Sequence, residues 1–282
     1  MAIVVNTNVQ SIKVQNNLNN VTSAMQKAME RMSSGLKINQ AADDAAGLVI
    51  SKGIQVQTNG TLVAKSNAQT GVNLLQTAEG NLDVIQDNLM RVRDLTLQAM
   101  NGGQTETELS AMEKEVKARL DEVDRIAGGS KFNTFQLFNG DDNDVLLQVG
   151  TGSEKATNTI TVEDVFTAAT TEKLTTAAAS AYVFTGGKTR AQFETMLTNI
   201  DKGITNVSTR RGTIGAISNR LESAMDSLDT QYENLSAAGS RITDADIATE
   251  SSNYTKQSIL QQASAALLVQ ANQAPNVALT LI

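Results

Sequence analysis

The chain has 282 residues and a formal net charge of −7; 40% of its residues are hydrophobic, but only 3% are aromatic. It contains no cysteine and no histidine, which excludes disulfides, thiolate chemistry, zinc fingers and Ser-His-Asp triads. The acidic balance and the lack of a basic block disfavour nucleic-acid binding. Few aromatic residues and a single proline favour long helices that pack through narrow aliphatic seams.

The first segment predicts an amphipathic helix that is almost free of charge. Residues 1–26 are rich in Asn and Gln and contain one charged side chain, Lys13. Apolar residues recur with spacings of three and four, which places them on one helix face. They are Leu18, Val21, Met25, Ala28 and Met32. Such a helix indicates an assembly surface that becomes buried, whereas an ordinary surface helix would carry more Lys and Glu.

A helix break is predicted at Gly35, and the next helix begins after the acidic pair Asp43 and Asp44. Two adjacent carboxylates could act as a general acid and base. Acidic residues before an apolar-periodic run are more simply explained as helix caps, because they complement the positive end of the helix dipole. The sequence therefore favours a capping role for this pair.

The longest periodic stretch predicts one helix from Ala45 to Met100. Glycine recurs within it, and Asn59-Gly60 would ordinarily indicate a turn, but the periodicity continues on both sides. The seam consists of Leu75, Ala78, Leu82, Ile85, Leu89, Val92, Thr96 and Ala99. At ~1.5 Å per residue, the part from Gly71 onward alone would be roughly 45 Å long, so it requires an equally long partner.

The helical pattern ends at Asn101-Gly102-Gly103 and resumes at Thr105, where acidic residues fill the first turn. The new pattern ends at Gly128. A short connection between two amphipathic segments predicts a hairpin of antiparallel helices.

The middle of the chain predicts a small β region. Strands are predicted at 145–149 and 158–162, around Gly150-Thr-Gly152. The acidic cluster at 141–144 could hold a hard cation, but no carboxylate at calcium-loop spacing completes the shell, which favours a turn. The Ala/Thr-rich residues 168–189 predict a loop or one short helix.

Helical periodicity returns at Ala191 and continues to Leu235, which supplies the long partner. Gly239 and the run 243–246 predict a break and a fresh cap. After Glu250 the only charge is that of Lys256, so the last helix resembles the first in composition. Its apolar seam includes Ile259, Leu260, Leu267 and Leu268. We expect the two ends to pair with each other.

No motif indicates catalysis or a cofactor. The run Gly187-Lys188-Thr189 lacks the earlier glycine of a phosphate-binding loop, because Tyr182 stands there. The N-terminal residues lack the basic leader and apolar core of a secretory signal peptide. No apolar run approaches the ~20 residues needed to cross a bilayer. The sequence predicts no catalytic, cofactor or metal site and no membrane insertion.

Five stretches carry a family resemblance, and they occur in the expected order. They are RMSSGLKIN at 31–39, ADDAAGL at 42–48, NLMRVRDL at 88–95, ILQQA at 259–263 and ANQAP at 271–275. Together they resemble bacterial flagellin over residues 1–138 and 191–282. The resemblance implies a mainly α fold, with a long antiparallel coiled coil or helical bundle, paired N- and C-terminal helices and a small β-hairpin region.

The resemblance also implies the domain organisation of a short flagellin. Residues 1–44 plus 240–282 would form the terminal coiled coil of the inner tube. Residues 45–140 plus 190–239 would form a rod-shaped helical domain. Residues 141–189 would form the β-hairpin and a short outer loop in place of larger outer domains.

The function implied is that of a structural subunit, not an enzyme, which self-assembles into the extracellular flagellar filament used for motility. Export would use the flagellum's own type III channel, without a cleaved signal peptide. The implied partners are other copies of the chain, an export chaperone, the filament cap and the hook-junction proteins. Alternatives are a hook-filament junction protein and a secreted coiled-coil binding module.

One further partner is implied by the resemblance. Arg91, Leu95 and Glu115 match positions that flagellins present to the flagellin-sensing Toll-like receptor of a host, and Gln98 lies on the same stretch. Met90 departs from the family's frequent glutamine. An ordinary solvated helix face would explain the same charges.

Overall fold

The computed structural model describes residues 7–138, 140 and 144–279, with side chains to residue 273. Seven α-helices form in this part of the chain: α1 Val9–Ser34, α2 Ala45–Ala99, α3 Glu106–Gly129, α4 Lys155–Asn158, α5 Thr171–Thr175, α6 Arg190–Thr243 and α7 Ile247–Leu279. The strands are β1 Lys131–Phe132, β2 Phe135–Gln136, β3 Val145–Gln148 and β4 Thr159–Val162. The mainly α fold predicted from the sequence is therefore confirmed.

The chain divides into two compact units. Unit 1 contains the residues up to Thr58 and those from Glu233 onward, and unit 2 contains Asn59–Tyr232. Both boundaries fall inside long helices, α2 and α6.

The two terminal helices pair in unit 1, as predicted. Asn8 Nδ2 donates to the Ala271 carbonyl at 2.7 Å, and Arg31 Nη1 lies 3.1 Å from Glu250 Oε1. The start of α1 therefore contacts the C-terminal part of α7, and the end of α1 contacts the start of α7. The two helices are antiparallel. Helix α1 ends at Gly35, whose φ of +71° is the left-handed conformation that glycine adopts without strain.

The acidic pair before α2 acts at the helix start. Asp44 Oδ1 accepts from Gly47 N at 2.9 Å, which confirms its predicted capping role. Asp43 has a different role, because it accepts from Asn39 N and Gln40 N and forms an ion pair with Lys27 at 2.6 Å. It closes the turn that precedes the helix.

Helices α2, α3 and α6 form the core of unit 2. The predicted α2 seam is confirmed, since all eight of its members are buried. Arg91 contacts Glu115 of α3, and Asn88 contacts Arg119, so α2 and α3 form the predicted antiparallel hairpin. Helix α3 begins with a capping box, in which the side chains of Thr105 and Glu108 each accept from the other residue's backbone N–H.

Two short antiparallel hairpins, β1–β2 and β3–β4, complete the β structure of the described residues. The β3–β4 hairpin was predicted, and its register pairs Val145 with Val162 and Gln148 with Thr159. The β1–β2 hairpin was not predicted. Asp141 and Asp142 of the predicted acidic turn lie outside the described residues.

The Ala/Thr-rich segment contains α5 and a 3₁₀ turn at Ala179–Ala181. Its larger side chains are buried in the core of unit 2, namely Leu174, Tyr182 and Phe184. Two carboxylates of α3 hold it: Asp124 accepts from Thr171 N at 2.6 Å, and Glu113 accepts from Phe184 N at 2.9 Å. These backbone hydrogen bonds fix a segment whose composition alone indicates little structure.

Candidate functional site

The described residues of unit 1 bury few hydrophobic side chains. Of its described hydrophobic residues, Ala28 and Ile38 are buried. Its exposed large apolar side chains are Val9, Ile12, Met29, Leu36, Val49, Ile50, Val56, Ile247, Ile259, Leu260, Leu267 and Val269. Exposed apolar surface on this scale is unusual for a monomer and marks an interaction surface.

Helix α7 has two different faces. Residues whose side chains are half-buried in unit 1 include Gln257, Ser258, Gln261 and Ser264, and Gln261 Nε2 reaches Thr22 Oγ1 of α1 at 3.4 Å. The outward face carries Ile259, Leu260, Leu267 and Val269, of which Ile259 is 61% exposed. Four large apolar side chains of α7 therefore lie on a face that the other described residues leave exposed. We call Ile259, Leu260, Leu267 and Val269 the outer α7 face.

The predicted polymer seam separates into two groups. Leu18, Val21, Met25, Met32 and Leu268 are half-buried. The four residues of α1 share the helix face of Ser11 and Thr22, whose side chains contact α7. Ile259, Leu260 and Leu267 are exposed on the outer α7 face. Periodicity reveals an apolar stripe, but it does not reveal which neighbour covers it.

The residues predicted for receptor recognition are only partly brought together. Arg91 Nε lies 2.9 Å from Glu115 Oε1, and Gln98 is exposed on the same helix as Arg91. The hydrogen bond between the two side chains raises the pKa of Arg91 and lowers the pKa of Glu115. Leu95 is only 3% exposed, because it belongs to the core of unit 2. Its side chain therefore lies in the core and is not exposed beside Arg91 and Gln98.

The described residues contain neither a metal-binding cluster nor a membrane-spanning helix. Among them, no group of three or more His, Cys, Asp or Glu side chains is arranged to hold a metal ion. The helices of this part of the chain include none with the length and apolarity needed to cross a membrane.

Comparison with known proteins identifies the family. Residues 5–143 match the bacterial flagellin N-terminal helical region, and residues 197–282 match the bacterial flagellin C-terminal helical region. The chain is 38% identical to the flagellin of Halalkalibacterium halodurans over 284 residues, which covers 99% of this chain and 100% of that protein. It is 36% identical to the flagellin of Bacillus subtilis over 302 residues, which covers 99% of both.

The fold is also similar to that of a solved structure described as a flagellar hook-associated protein from Vibrio parahaemolyticus. The TM-score is 0.62 at 17% sequence identity, with coverage of 72% of this chain and 100% of the other. At this identity the likeness concerns the fold alone. The family matches and the full-length identity to flagellins are what decide the assignment: the chain belongs to the bacterial flagellin family, a family of structural proteins and not of enzymes.

Proposed function

We propose that this chain is the repeating subunit of an extracellular flagellar filament and that unit 1 carries the contacts that drive polymerisation. The observation that carries the proposal is the imbalance within unit 1, where twelve large apolar side chains are exposed and two described hydrophobic residues are buried. Such a unit gains stability when other copies of the chain cover it. The family to which the chain belongs forms filaments, which supports the same reading.

The energetics favour assembly. Fully burying a large apolar side chain contributes about 1.5–3 kcal/mol, and these twelve are roughly half exposed, so covering them yields about 10–20 kcal/mol. Association costs on the order of 4–15 kcal/mol before side-chain ordering. The gain is large enough only if most of the surface is covered, which requires several neighbours. A heterologous contact that does not close into a ring then propagates as a helical filament.

Within this proposal, residues 1–44 plus 240–282 form the inner tube of the filament. Residues 45–140 plus 190–239 form the rod-shaped helical domain, and residues 141–189 form the β-hairpin and a short outer loop. The apolar surface of unit 1 must be protected before assembly, which suits an export chaperone. Cap and hook-junction proteins would be the neighbours at the two filament ends, and export would need no cleaved signal peptide.

Seeded polymerisation tests the proposal. Purified full-length protein is mixed with short filament seeds, followed by light scattering and imaged by electron microscopy. We expect long uniform filaments. We expect a truncation that removes Val269–Ile282 to stay monomeric while unit 2 unfolds at its usual denaturant concentration. Persistent full-length monomers would favour a junction protein or a binding module, and filaments of the truncated chain would contradict the assigned role of the C-terminal segment.

A second proposed partner is a host Toll-like receptor that contacts Arg91, Gln98 and Glu115, with Leu95 packed beneath them. The exposed ion pair presents both charges at one place on unit 2. A receptor-reporter assay with Arg91→Ala and Glu115→Ala tests this. Reduced signalling by both variants is expected, with Arg125→Ala as the matched control at another exposed ion pair of α3. Unchanged signalling would remove the receptor from the list of partners.

A further inference from the structure

Three Asn-Gly dipeptides occur in the chain, at Asn59, Asn101 and Asn139. The first lies inside α2, and the second lies in the turn between α2 and α3. Asn139 is outside the described residues. Asn59-Gly60 is therefore helical, whereas Asn101-Gly102 lies in a turn. The reactivity of the same dipeptide can be compared in these two backbone conformations.

The relevant chemistry is spontaneous deamidation. The backbone nitrogen of the glycine attacks the side-chain carbonyl carbon of the asparagine, the C–N bond of the side-chain amide breaks, and ammonia leaves. The cyclic imide that results is opened by water to give aspartate or isoaspartate. The attack requires a glycine N–H that is free of hydrogen bonds and a backbone that can rotate away from the helical ψ of about −42°.

Asn59 does not meet these requirements. Gly60 is within α2, so its N–H donates to the carbonyl four residues earlier, and the helix fixes ψ. Asn101 does meet them. Asn101, Gly102 and Gly103 are all exposed. Among the described residues, neither the Asn101 side-chain amide nor the Gly102 N–H has a hydrogen-bond partner.

Two cationic side chains line the same cavity as the turn that contains Asn101. A cavity of about 210 Å³ is lined by this turn, by Lys188 in the loop before α6 and by Arg190, the first residue of α6. Glu106 also lines it, and Arg190 forms an exposed ion pair with Glu194 at 3.0 Å. Cationic side chains stabilise the nitrogen anion that attacks, the negatively charged intermediate and the carboxylate that is formed.

We propose that Asn101-Gly102 is a self-modification site, which deamidates in the folded protein because the α2–α3 turn leaves both reacting groups free beside Lys188 and Arg190. The product adds one negative charge to a chain whose formal net charge is −7. Isoaspartate would also lengthen the backbone of the turn by one atom. This inference does not depend on filament assembly.

Peptide mapping by mass spectrometry tests the proposal on the purified full-length protein in mildly alkaline buffer. We expect Asn101 to convert at least roughly tenfold faster than Asn59, because helix opening limits the latter. In denaturant the two rates should converge. Equal rates in the folded protein would overturn the proposal, and so would a difference that persists in denaturant, since the cause would then be local sequence and not structure.

Two variants test the named causes. A Cβ built on Gly102 meets nothing within 4 Å, so Gly102→Ala fits the turn. We expect this variant to slow the conversion of Asn101 roughly tenfold, because a Cβ restricts the backbone of the residue whose nitrogen attacks. Lys188→Gln combined with Arg190→Gln should slow it a few-fold at low salt and less at high salt. Circular dichroism checks that both variants stay folded. A rate at Asn101 that neither variant changes would contradict the proposed site.

Discussion

The side chain of Leu147 in the β3–β4 hairpin lies directly over the backbone of Gly71 in α2. A Cβ built on Gly71 would be 2.6 Å from Leu147 Cδ1, which is closer than van der Waals contact allows. Close packing against Leu147 therefore favours glycine at this position, although it lies inside a helix that alanine would favour.

Gly71→Ala should lower the free energy of unfolding of unit 2. Overpacking costs about 1–3 kcal/mol, whereas the gain in helix propensity is about 1 kcal/mol, so we expect a net loss of about 1 kcal/mol in urea unfolding. Gly80→Ala is the matched control, because a Cβ there meets nothing within 4 Å. It should stabilise the protein by about 0.5–1 kcal/mol. Two equal effects would show that Leu147 does not constrain Gly71.

Leu267 and Leu268 are adjacent but face different surroundings. Leu267 is 58% exposed on the outer α7 face, whereas Leu268 is half-buried. We expect Leu267→Gln to raise the protein concentration needed for seeded polymerisation at least roughly tenfold, while protection of α1 and α7 in monomer hydrogen exchange stays unchanged. Leu268→Gln should lower that monomer protection as well. If Leu267→Gln also exposes the monomeric helices, then this leucine acts within the chain.

The Arg31–Glu250 ion pair joins α1 to α7 in a mostly buried position, with side-chain exposures of 23% and 11%. Glu250→Gln should destabilise the α1–α7 pair by roughly 1–3 kcal/mol, because the guanidinium then lacks its charged partner. Hydrogen exchange in the two helices measures this. Lys65→Gln breaks an exposed pair with Asp229 and should cost less than about 1 kcal/mol. Similar costs at both pairs would show that burial does not matter here.

Asp43 should make unit 1 sensitive to acid. The Lys27 ammonium and the N–H groups of Gln40 and Asn39 lower the pKa of Asp43 from 3.8 to about 2. A folded-state pKa below the unfolded value contributes stability above pH ~4 that is lost as the pH falls toward 2. Between these values the stability of unit 1 should fall more steeply in the wild type than in Asp43→Asn. The midpoint of the Asp43 carboxyl in an NMR titration checks the pKa directly, and a midpoint near 4 would contradict the prediction.

The helices of this protein were predictable because their signals are local. The three-and-four spacing of Leu75, Ala78 and Leu82 identifies one helix face. Asp44 and Thr105 are caps that bond to residues three positions away. Such features depend on a few neighbouring residues, so the sequence displays them directly.

The remaining features depend on residues that are distant in the sequence. The β1–β2 hairpin has two residues per strand, which is too short for a periodic pattern. The Ala/Thr-rich segment is fixed by Asp124 and Glu113, which lie 47 and 71 residues before their partners. The burial of Leu95 and the exposure of Leu267 likewise depend on which neighbour each helix face meets.

The antiparallel pairing of the terminal helices also determines the order in which the protein can fold. Asn8 and Ala271 are 263 positions apart, whereas Arg91 and Glu115 are only 24 apart. Contacts between distant residues carry a larger loop-closure entropy and form more slowly. The α2–α3 hairpin can therefore form early, but α1 has no partner until α7 has been delivered. Unit 1 is therefore expected to be the last part of the chain to fold, because its two paired helices come from opposite ends of the sequence.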